Sequence, residues 1–459
     1  MSRWTLAMLA EQTGGRLHGD DLAFDRVCTD SRSLQAGDLF VAIAGPNFDG
    51  HDFASRALQE GACAVLVSRH LSALGGPQVV VEDTVAALGR FAAWWRQTLQ
   101  GPLVGVTGSN GKTTVRSLIA AVLEAHWPEQ VLATRGNFNN EIGVPLTLLR
   151  LRPEDRAAVV EMGANHHGEI ARLAAIAQPD LGLITNAGPA HLEGFGDLDG
   201  VARAKGELIA GLPAHGTALL NADDPRVPVW RELAGDRPRL EFGVHRGDVH
   251  IVGEAALDEQ GIRAQVATPA GTLDLNLALP GRHNLQNALA AICAAVAMDV
   301  PPAVIARGLA AVRPEPGRLQ PLSGVNGSLL VNDCYNANPG SLAVALEWLQ
   351  QRPVPRWVVL GDMGELGLGA AEAHRQAGHL IREAGVERLF CIGHLAAEAA
   401  AAFGAGAELY ARVDRLVEIL RQELREDVTL LVKGSRAMGL ERLIDSLRDR
   451  PALMTGRGG

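Results

Sequence analysis

Seven residues, Gly108-Ser109-Asn110-Gly111-Lys112-Thr113-Thr114, lie between an apolar run at 103–106 and a stretch in which Val115, Leu118, Ile119 and Val122 recur at i, i+3, i+4 and i+7. The run reads as a buried strand and the periodic stretch as a helix with one apolar face. Strand, glycine turn and helix in that order suit phosphate. Glycines let the backbone wrap its oxygens, the helix start offers free N–H groups, Lys112 neutralises charge, and the Thr113 hydroxyl can ligate Mg2+. The common phosphate-loop pattern has a glycine five residues before Gly111, where this chain has Val106. That departure speaks against a generic motor or GTPase. The bland alternative is a glycine turn before a helix with an exposed lysine.

Other candidates rest on type and place. Glu161 ends an apolar run at 157–160. A carboxylate at a strand's carboxyl end faces the crevice where ligands of such sheets bind, and could hold Mg2+ directly or through water; a solvated strand end is the competing reading. By type alone His191 is a loop histidine and Lys205, within a helical stretch at 201–209, a solvated surface lysine. Asn284 near a helix start suits an ordinary cap, and Arg318 and Asp333 suit a surface ion pair.

The elements around these residues alternate. Up to about Arg96, β-type runs at 39–43, 64–67 and 79–81 alternate with helical stretches such as 53–59, and a short helix is expected between an N-cap at Thr5 and a stop at Gly14-Gly15. Strands are expected at 157–160 and 181–185, and 249–279 alternates like a small antiparallel sheet. Val312-Arg313-Pro314-Glu315-Pro316-Gly317 breaks any helix. Beyond it, strands at 329–331, 357–360, 389–392 and 429–432 alternate with helices, which implies βαβ units and a parallel sheet. The tail at 455–459 is expected to be disordered. The fold class is therefore α/β in three domains: a small N-terminal one (1–99), a central P-loop ATPase one with an additional small sheet (100–316), and a Rossmann-like C-terminal one (317–459).

Composition sets outer bounds. In 459 residues, an apolar share of 47% and a charged share of 20% exclude a disordered or fibrous chain, and a net charge of −10 argues against a surface that grips nucleic acid. The five cysteines are scattered and never spaced Cys-x-x-Cys, which suggests neither a zinc site nor a disulfide framework. The longest strongly apolar run, 288–298, is too short to span a bilayer and reads as a buried helix. A soluble, cytoplasmic protein is expected.

Thr107 to Thr114 resembles the variant phosphate loop of the Mur ligases, ATP-dependent amide-forming enzymes of peptidoglycan precursor synthesis. Segments along nearly the whole chain agree: Gly136-Asn137-Phe138-Asn139-Asn140-Glu141-Ile142-Gly143-Val144-Pro145, Glu161-Met162-Gly163-Ala164-Asn165, Ala190-His191-Leu192-Glu193-Gly194-Phe195-Gly196, Ala204-Lys205-Gly206-Glu207, Asp333-Cys334-Tyr335-Asn336-Ala337-Asn338-Pro339, Gly361-Asp362-Met363-Gly364-Glu365-Leu366-Gly367 and Lys433-Gly434-Ser435-Arg436. They look like the branch that adds D-alanyl-D-alanine to UDP-N-acetylmuramoyl-tripeptide.

The resemblance implies roles. ATP would lie on Gly108, Ser109, Asn110, Gly111, Lys112, Thr113 and Thr114, with Asn284 at adenine and Arg318 and Asp333 reaching in from the last domain. Two Mg2+ ions would involve Thr113, Glu161, His191 and Lys205, the lysine carbamylated, and Lys112, Lys205 and His191 would serve catalysis. Asn137, Asn139, Asn140, Tyr335, Asn336, Asn338 and Lys433 would meet the peptide substrates. Ser31 and Arg32 would hold the UDP-sugar, Arg32 as a bidentate donor to pyrophosphate. The implied enzyme is a monomer working through an acyl phosphate. Alternatives are folylpolyglutamate synthase, the sibling adding the third peptide residue, and a P-loop switch that only hydrolyses nucleotide.

Overall fold

The computed structural model describes residues 3–45, 48–189, 192–258 and 261–449. Near the N-terminus, helix Leu6–Thr13 begins where Thr5 Oγ1 accepts the Met8 N–H at 3.3 Å and ends at Gly14 in the left-handed region, as the flanking residue types dictate. It leans on a five-stranded sheet in the order Arg16–His18, Gln78–Val80, Ala64–Val67, Leu39–Val41, Val27–Cys28, parallel except for the first pair.

The central sheet has six parallel strands, ordered Arg239–Phe242, Thr217–Asn221, Leu181–Ile184, Leu103–Thr107, Ala157–Glu161, Val131–Ala133. Its middle strands are near-continuous apolar runs because helices cover both faces. The phosphate loop leaves the strand Leu103–Thr107 and enters helix Lys112–His126, whose Val115, Leu118, Ile119 and Val122 are buried. Helices Arg282–Ala297 and Pro302–Ala310 pack on that helix, and an antiparallel sheet of His250–Asp258, Gly261–Thr268 and Gly271–Leu277 lies beyond them. The third sheet runs Gln320–Ser323, Leu329–Asp333, Thr429–Lys433, Arg356–Gly361, Arg388–Ile392, Ala407–Tyr410, parallel but for its first pair.

Seven of these strands are not legible as strands in the sequence. Arg16–His18, Val27–Cys28, Val131–Ala133, Arg239–Phe242, Gln320–Ser323 and Ala407–Tyr410 are sheet edges too short for alternation or an apolar run to mark them. Thr217–Asn221 is interior but built on Ala and Leu rather than β-branched residues. The tail at 455–459 lies outside the described residues.

Apolar packing divides the chain unevenly. One buried cluster runs from Trp4, Phe91, Trp95 and Leu99 into Leu148, Leu151 and Ile170 of the central domain. Trp95 anchors the seam: its ring meets Trp4 edge-on at 5.0 Å and its Nε1 donates to Leu151 O at 3.1 Å. The clusters of the C-terminal sheet begin only at Leu319. Calorimetry should therefore show the first two domains melting together and the third separately. Trp95→Ala should lower the stability of the joint transition by about 3–5 kcal/mol and leave the other in place; an equal drop in both would contradict this division.

Candidate active site

Two glycines of the phosphate loop are required by contact. Gly108 has φ +144, and a Cβ there would stand 2.0 Å from Thr185 Oγ1; Gly111 has φ +82, with a Cβ 2.4 Å from Asn287 Oδ1. The neighbouring strand end braces the loop. Asn186 accepts the Ser109 N–H on its carbonyl and the Asn110 N–H on Oδ1, both at 3.0 Å, while the Thr185 hydroxyl donates to Asn110 O at 2.6 Å. Lys112 folds back on its own loop, Nζ donating to Gly108 O at 2.6 Å and Ser109 O at 3.2 Å. Desolvation pulls its pKa down, with Glu161 opposing and Arg318 reinforcing the shift.

A cavity of about 980 Å³ opens over this loop. Its wall brings Ser109 to Thr114 together with Asn137, Asn139, Asn140, Glu161 and Asn284 from the central domain. Arg318, Asp333, Tyr335, Asn336, Asn338 and Lys433 complete it from the last domain. Gly108 sits just beneath the wall. Glu161 is the last residue of its strand and only 2% exposed, which removes the solvated strand-end reading. Its Oε1 accepts from Asn139 Nδ2 at 2.8 Å, and its Oε2 has no hydrogen-bond partner. A buried carboxylate oxygen without a hydrogen bond is costly even with Arg116 Nε at 3.9 Å, and a divalent cation would satisfy it. No cluster of three or more His, Cys, Asp or Glu suited to a metal exists among the described residues, so a cation here would complete its shell with hydroxyl, phosphate or water.

Lys205 is not the solvated lysine its helical position suggests. It lies on helix Leu198–Ala210, is 1% exposed, donates to Ala164 O at 3.2 Å and stands 4.8 Å from the centre of the Phe195 ring. Burial, aided by the charge of Lys112, brings its pKa down to about 7. It is outside the cavity wall. His191 lies outside the described residues.

Asn284 is not the cap of its helix: Arg282–Ala297 starts at Gly281, and Asn284 Nδ2 donates back to Pro280 O at 2.8 Å. Asp333 and Lys433 pair at 2.5 Å, with Lys433 also donating to Asn336 O at 3.2 Å. Asn338 caps helix Pro339–Gln350 in a reciprocal box with Ser341, and its Nδ2 reaches Asn110 Oδ1 of the phosphate loop at 3.2 Å. The Tyr335 ring has Arg318 at 4.3 Å and Arg436 at 5.6 Å from its centre.

Ser31 and Arg32 are not part of this cavity. Arg32 is exposed and its fork is already closed on Asp30, at 2.9 and 2.8 Å, which holds the Asp30 pKa down at about 2. Two charged residues escaped the sequence. Arg116 follows Lys112 by four positions, a spacing that puts both on one helix face and could have marked it. Glu315 sits in a segment legible only as a helix breaker.

Family models match along the chain: "Mur ligase family, catalytic domain" at residues 23–95, "Mur ligase middle domain" at 106–295, and "Mur ligase, glutamate ligase domain" at 317–436. The UDP-N-acetylmuramoyl-tripeptide–D-alanyl-D-alanine ligase of Escherichia coli K12 is 41% identical over 448 residues, covering 97% of this chain and 98% of its own. Among solved structures, MurF from Acinetobacter baumannii aligns with a TM-score of 0.89 at 34% identity, covering 97% of this chain and 98% of its own. MurF ligase from Thermotoga maritima in complex with ADP gives 0.81 at 29%, covering 92% and 96%. Folylpolyglutamate synthase from Mycobacterium tuberculosis shares the fold alone, at 0.63 and 16%, covering 80% and 95%. With three models tiling most of its length and a relative of 41% identity aligned nearly end to end, the chain belongs to the Mur ligase family.

Proposed function

We propose that the protein joins D-alanyl-D-alanine to UDP-N-acetylmuramoyl-tripeptide at the expense of ATP, giving the UDP-pentapeptide precursor of peptidoglycan, ADP and phosphate. The observation that carries this is the near full-length identity to relatives bearing that activity in their name. The cavity supports it by joining the phosphate loop to the asparagine-rich loop and to side chains of the last domain. Folylpolyglutamate synthase matches in fold alone, and a bare nucleotide switch leaves the last domain's share of the wall unused.

The chemistry follows from charge. A carboxylate resists amide formation because oxide is a poor leaving group. Attack of the tripeptide carboxylate on the γ-phosphorus, with ADP departing, makes an acyl phosphate, a mixed anhydride; the dipeptide amine then attacks the acyl carbon, phosphate leaves, and the nitrogen gives up a proton as the amide forms. Carboxylate and γ-phosphate repel, so positive charge must sit between them. Lys112 would unfold from Gly108 O and Ser109 O onto the phosphates. Thr113 and Glu161 would hold Mg2+, which supplies further neutralisation, and a second ion near His191 rests on the resemblance alone. Ser31 and Arg32 would meet the UDP-sugar, Arg32 exchanging Asp30 for pyrophosphate. The three domains, 1–99, 100–316 and 317–459, would thus present UDP-sugar, ATP and amine.

A carbamate on Lys205 has no support from the relatives. What favours it is chemistry: an amine with a pKa of about 7 is substantially neutral at pH 7, and only the neutral form adds to carbon dioxide. No helix among the described residues is long and apolar enough to cross a membrane.

Three measurements test these assignments. With ATP, Mg2+ and UDP-tripeptide fixed, kcat/KM should favour D-alanyl-D-alanine over D-alanine by about tenfold or more. A single residue leaves groups meant for the second one unpaired, at about 1–3 kcal/mol each. Equal efficiency, or a preference for a diamino acid with UDP-dipeptide, would overturn the substrate assignment. Lys112→Ala should lose at least about 100-fold in kcat while its circular dichroism stays native; comparable turnover would remove Lys112 from the phosphates. For Lys205, the folded state binds fewer protons than the unfolded one between about pH 7 and the ordinary lysine value of 10.5, so its burial penalty is full below that window and fades as pH rises through it. In carbon dioxide-depleted buffer, Lys205→Met should exceed the wild type in stability at pH 6 by a few kcal/mol, and the gap should shrink towards pH 10. A pH-independent difference in urea melts would contradict the lowered pKa.

A further inference from the structure

Four charged side chains alternate in sign between the candidate metal carboxylate and the phosphate loop. Glu161 Oε2 is 3.9 Å from Arg116 Nε, Arg116 Nη2 is 3.6 Å from Glu315 Oε1, and Glu315 Oε2 is 3.6 Å from Arg318 Nε. The last of them, Arg318, donates through Nη2 to the Thr113 hydroxyl at 2.7 Å. Glu315 also accepts a hydrogen bond from Ser117 Oγ, which ties the linker to the nucleotide helix. The contacts close a ring of loop, helix and linker back to loop, and the strand end joins it through Arg116.

The ring is built with backbone as well as side chains. After Glu315 the chain turns sharply, with Gly317 at φ +77 and Leu319 at φ +45, a conformation leucine rarely adopts. Leu319 is held there by burial in the C-terminal core and by its N–H to Asp333 Oδ1 at 3.0 Å. The turn thereby presents Arg318 to the loop, with Tyr335 against its guanidinium.

We propose that Glu315 is a positioning residue for the ligation: by holding Arg116 on one side and Arg318 on the other, it keeps the third-domain guanidinium on the phosphate loop, in register with Glu161. This rests on the ligase reading, in which Arg318 meets the nucleotide. The physical ground is charge balance. Lys112, Arg116 and Arg318 converge beside the phosphate loop; Glu161 and Glu315 are the carboxylates paired with the two arginines, and Glu365 also acts on Lys112. Without Glu315 two guanidiniums that share its carboxylate repel each other, and Arg318, on a linker rather than a sheet, is the one free to swing away. Arg116 stays fixed by Nη1 to Thr134 O at 2.7 Å. Binding of ATP must then recover an alignment that the native linker supplies in advance.

The test is steady-state kinetics on the full-length protein and its E315Q, E315A, R318A and E315A/R318A variants, each checked for native melting. E315Q keeps an acceptor for Ser117 and removes only the charge. Expected are losses in kcat/KM for ATP of about 10- to 100-fold in both Glu315 variants, a KM for D-alanyl-D-alanine changed by less than about twofold, and a double variant no worse than R318A. Wild-type kinetics in E315Q beside an impaired R318A would overturn the positioning role and leave the ligase reading standing. Fully additive losses would overturn it too, since the two residues would then act separately. Undiminished turnover in R318A would remove Arg318 from the nucleotide site and the proposal with it, while product analysis would still report on the ligase.

Discussion

Positive charge must be gathered at the phosphate loop without any of its cations being locked to a carboxylate of the protein's own, and the rest of the structure accommodates that constraint. Lys112, Arg116, Arg318 and, one layer deeper, Lys205 converge around the phosphate loop. At 4 Å two like charges cost about 1 kcal/mol in water and several times that where water is excluded. The protein manages this by parking each cation on a neutral or shared partner: Lys112 on loop carbonyls, Lys205 on Ala164 O and the Phe195 face, Arg318 on a hydroxyl. None is locked into a bidentate carboxylate. Arg32, by contrast, is so locked, and to serve a pyrophosphate it must first give up Asp30.

The same constraint explains the unpaired oxygen of Glu161. A carboxylate fully neutralised by Arg116 would have little left for a cation; at 3.9 Å the pair attracts without a hydrogen bond, and Asn139 steadies the other oxygen. Thr113 sits on the opposite side with its hydroxyl already engaged by Arg318. Loading the site is therefore an exchange of partners rather than the filling of a void, and exchanges among hydrogen bonds of similar strength have small net free energies.

How much of this is legible in the sequence depends on whether the determining contacts are local. The phosphate loop, Glu161 at its strand end and the asparagine-rich loop are runs of neighbouring residues, so type and order suffice to place them. Lys205 fails the same test: a helical period says which face a residue occupies, and whether that face meets solvent or Ala164 depends on a segment some forty positions away. Asn338 is legible as a polar residue before a proline and a helix, which is a cap signature, and the structure uses it as a cap that also crosses to Asn110. Glu315 leaves no trace, because two of its partners, Arg116 and Ser117, come from a helix about two hundred residues earlier, and only Arg318 is local. Short edge strands are lost for a related reason: their neighbours, not their own residues, decide that they pair.

The distribution of apolar and polar contact finally bears on motion. The first two domains are welded by a common core through Trp95, and separating them would expose that core. Among the described residues no buried apolar cluster joins the third domain to the others; its clusters begin after the linker. Its described ties to the phosphate loop and helix are polar: Arg318 to Thr113, Asn338 to Asn110, Glu315 to Ser117. Such contacts trade with water at a net of about 0.5–1.5 kcal/mol each, a few times thermal energy, whereas opening an apolar seam costs about 25 cal/mol for every Å² exposed. The polar interface is therefore the one that opens at lower cost. The segment 312–319 beside it carries Glu315 and Arg318, two of the three side chains that make those polar ties.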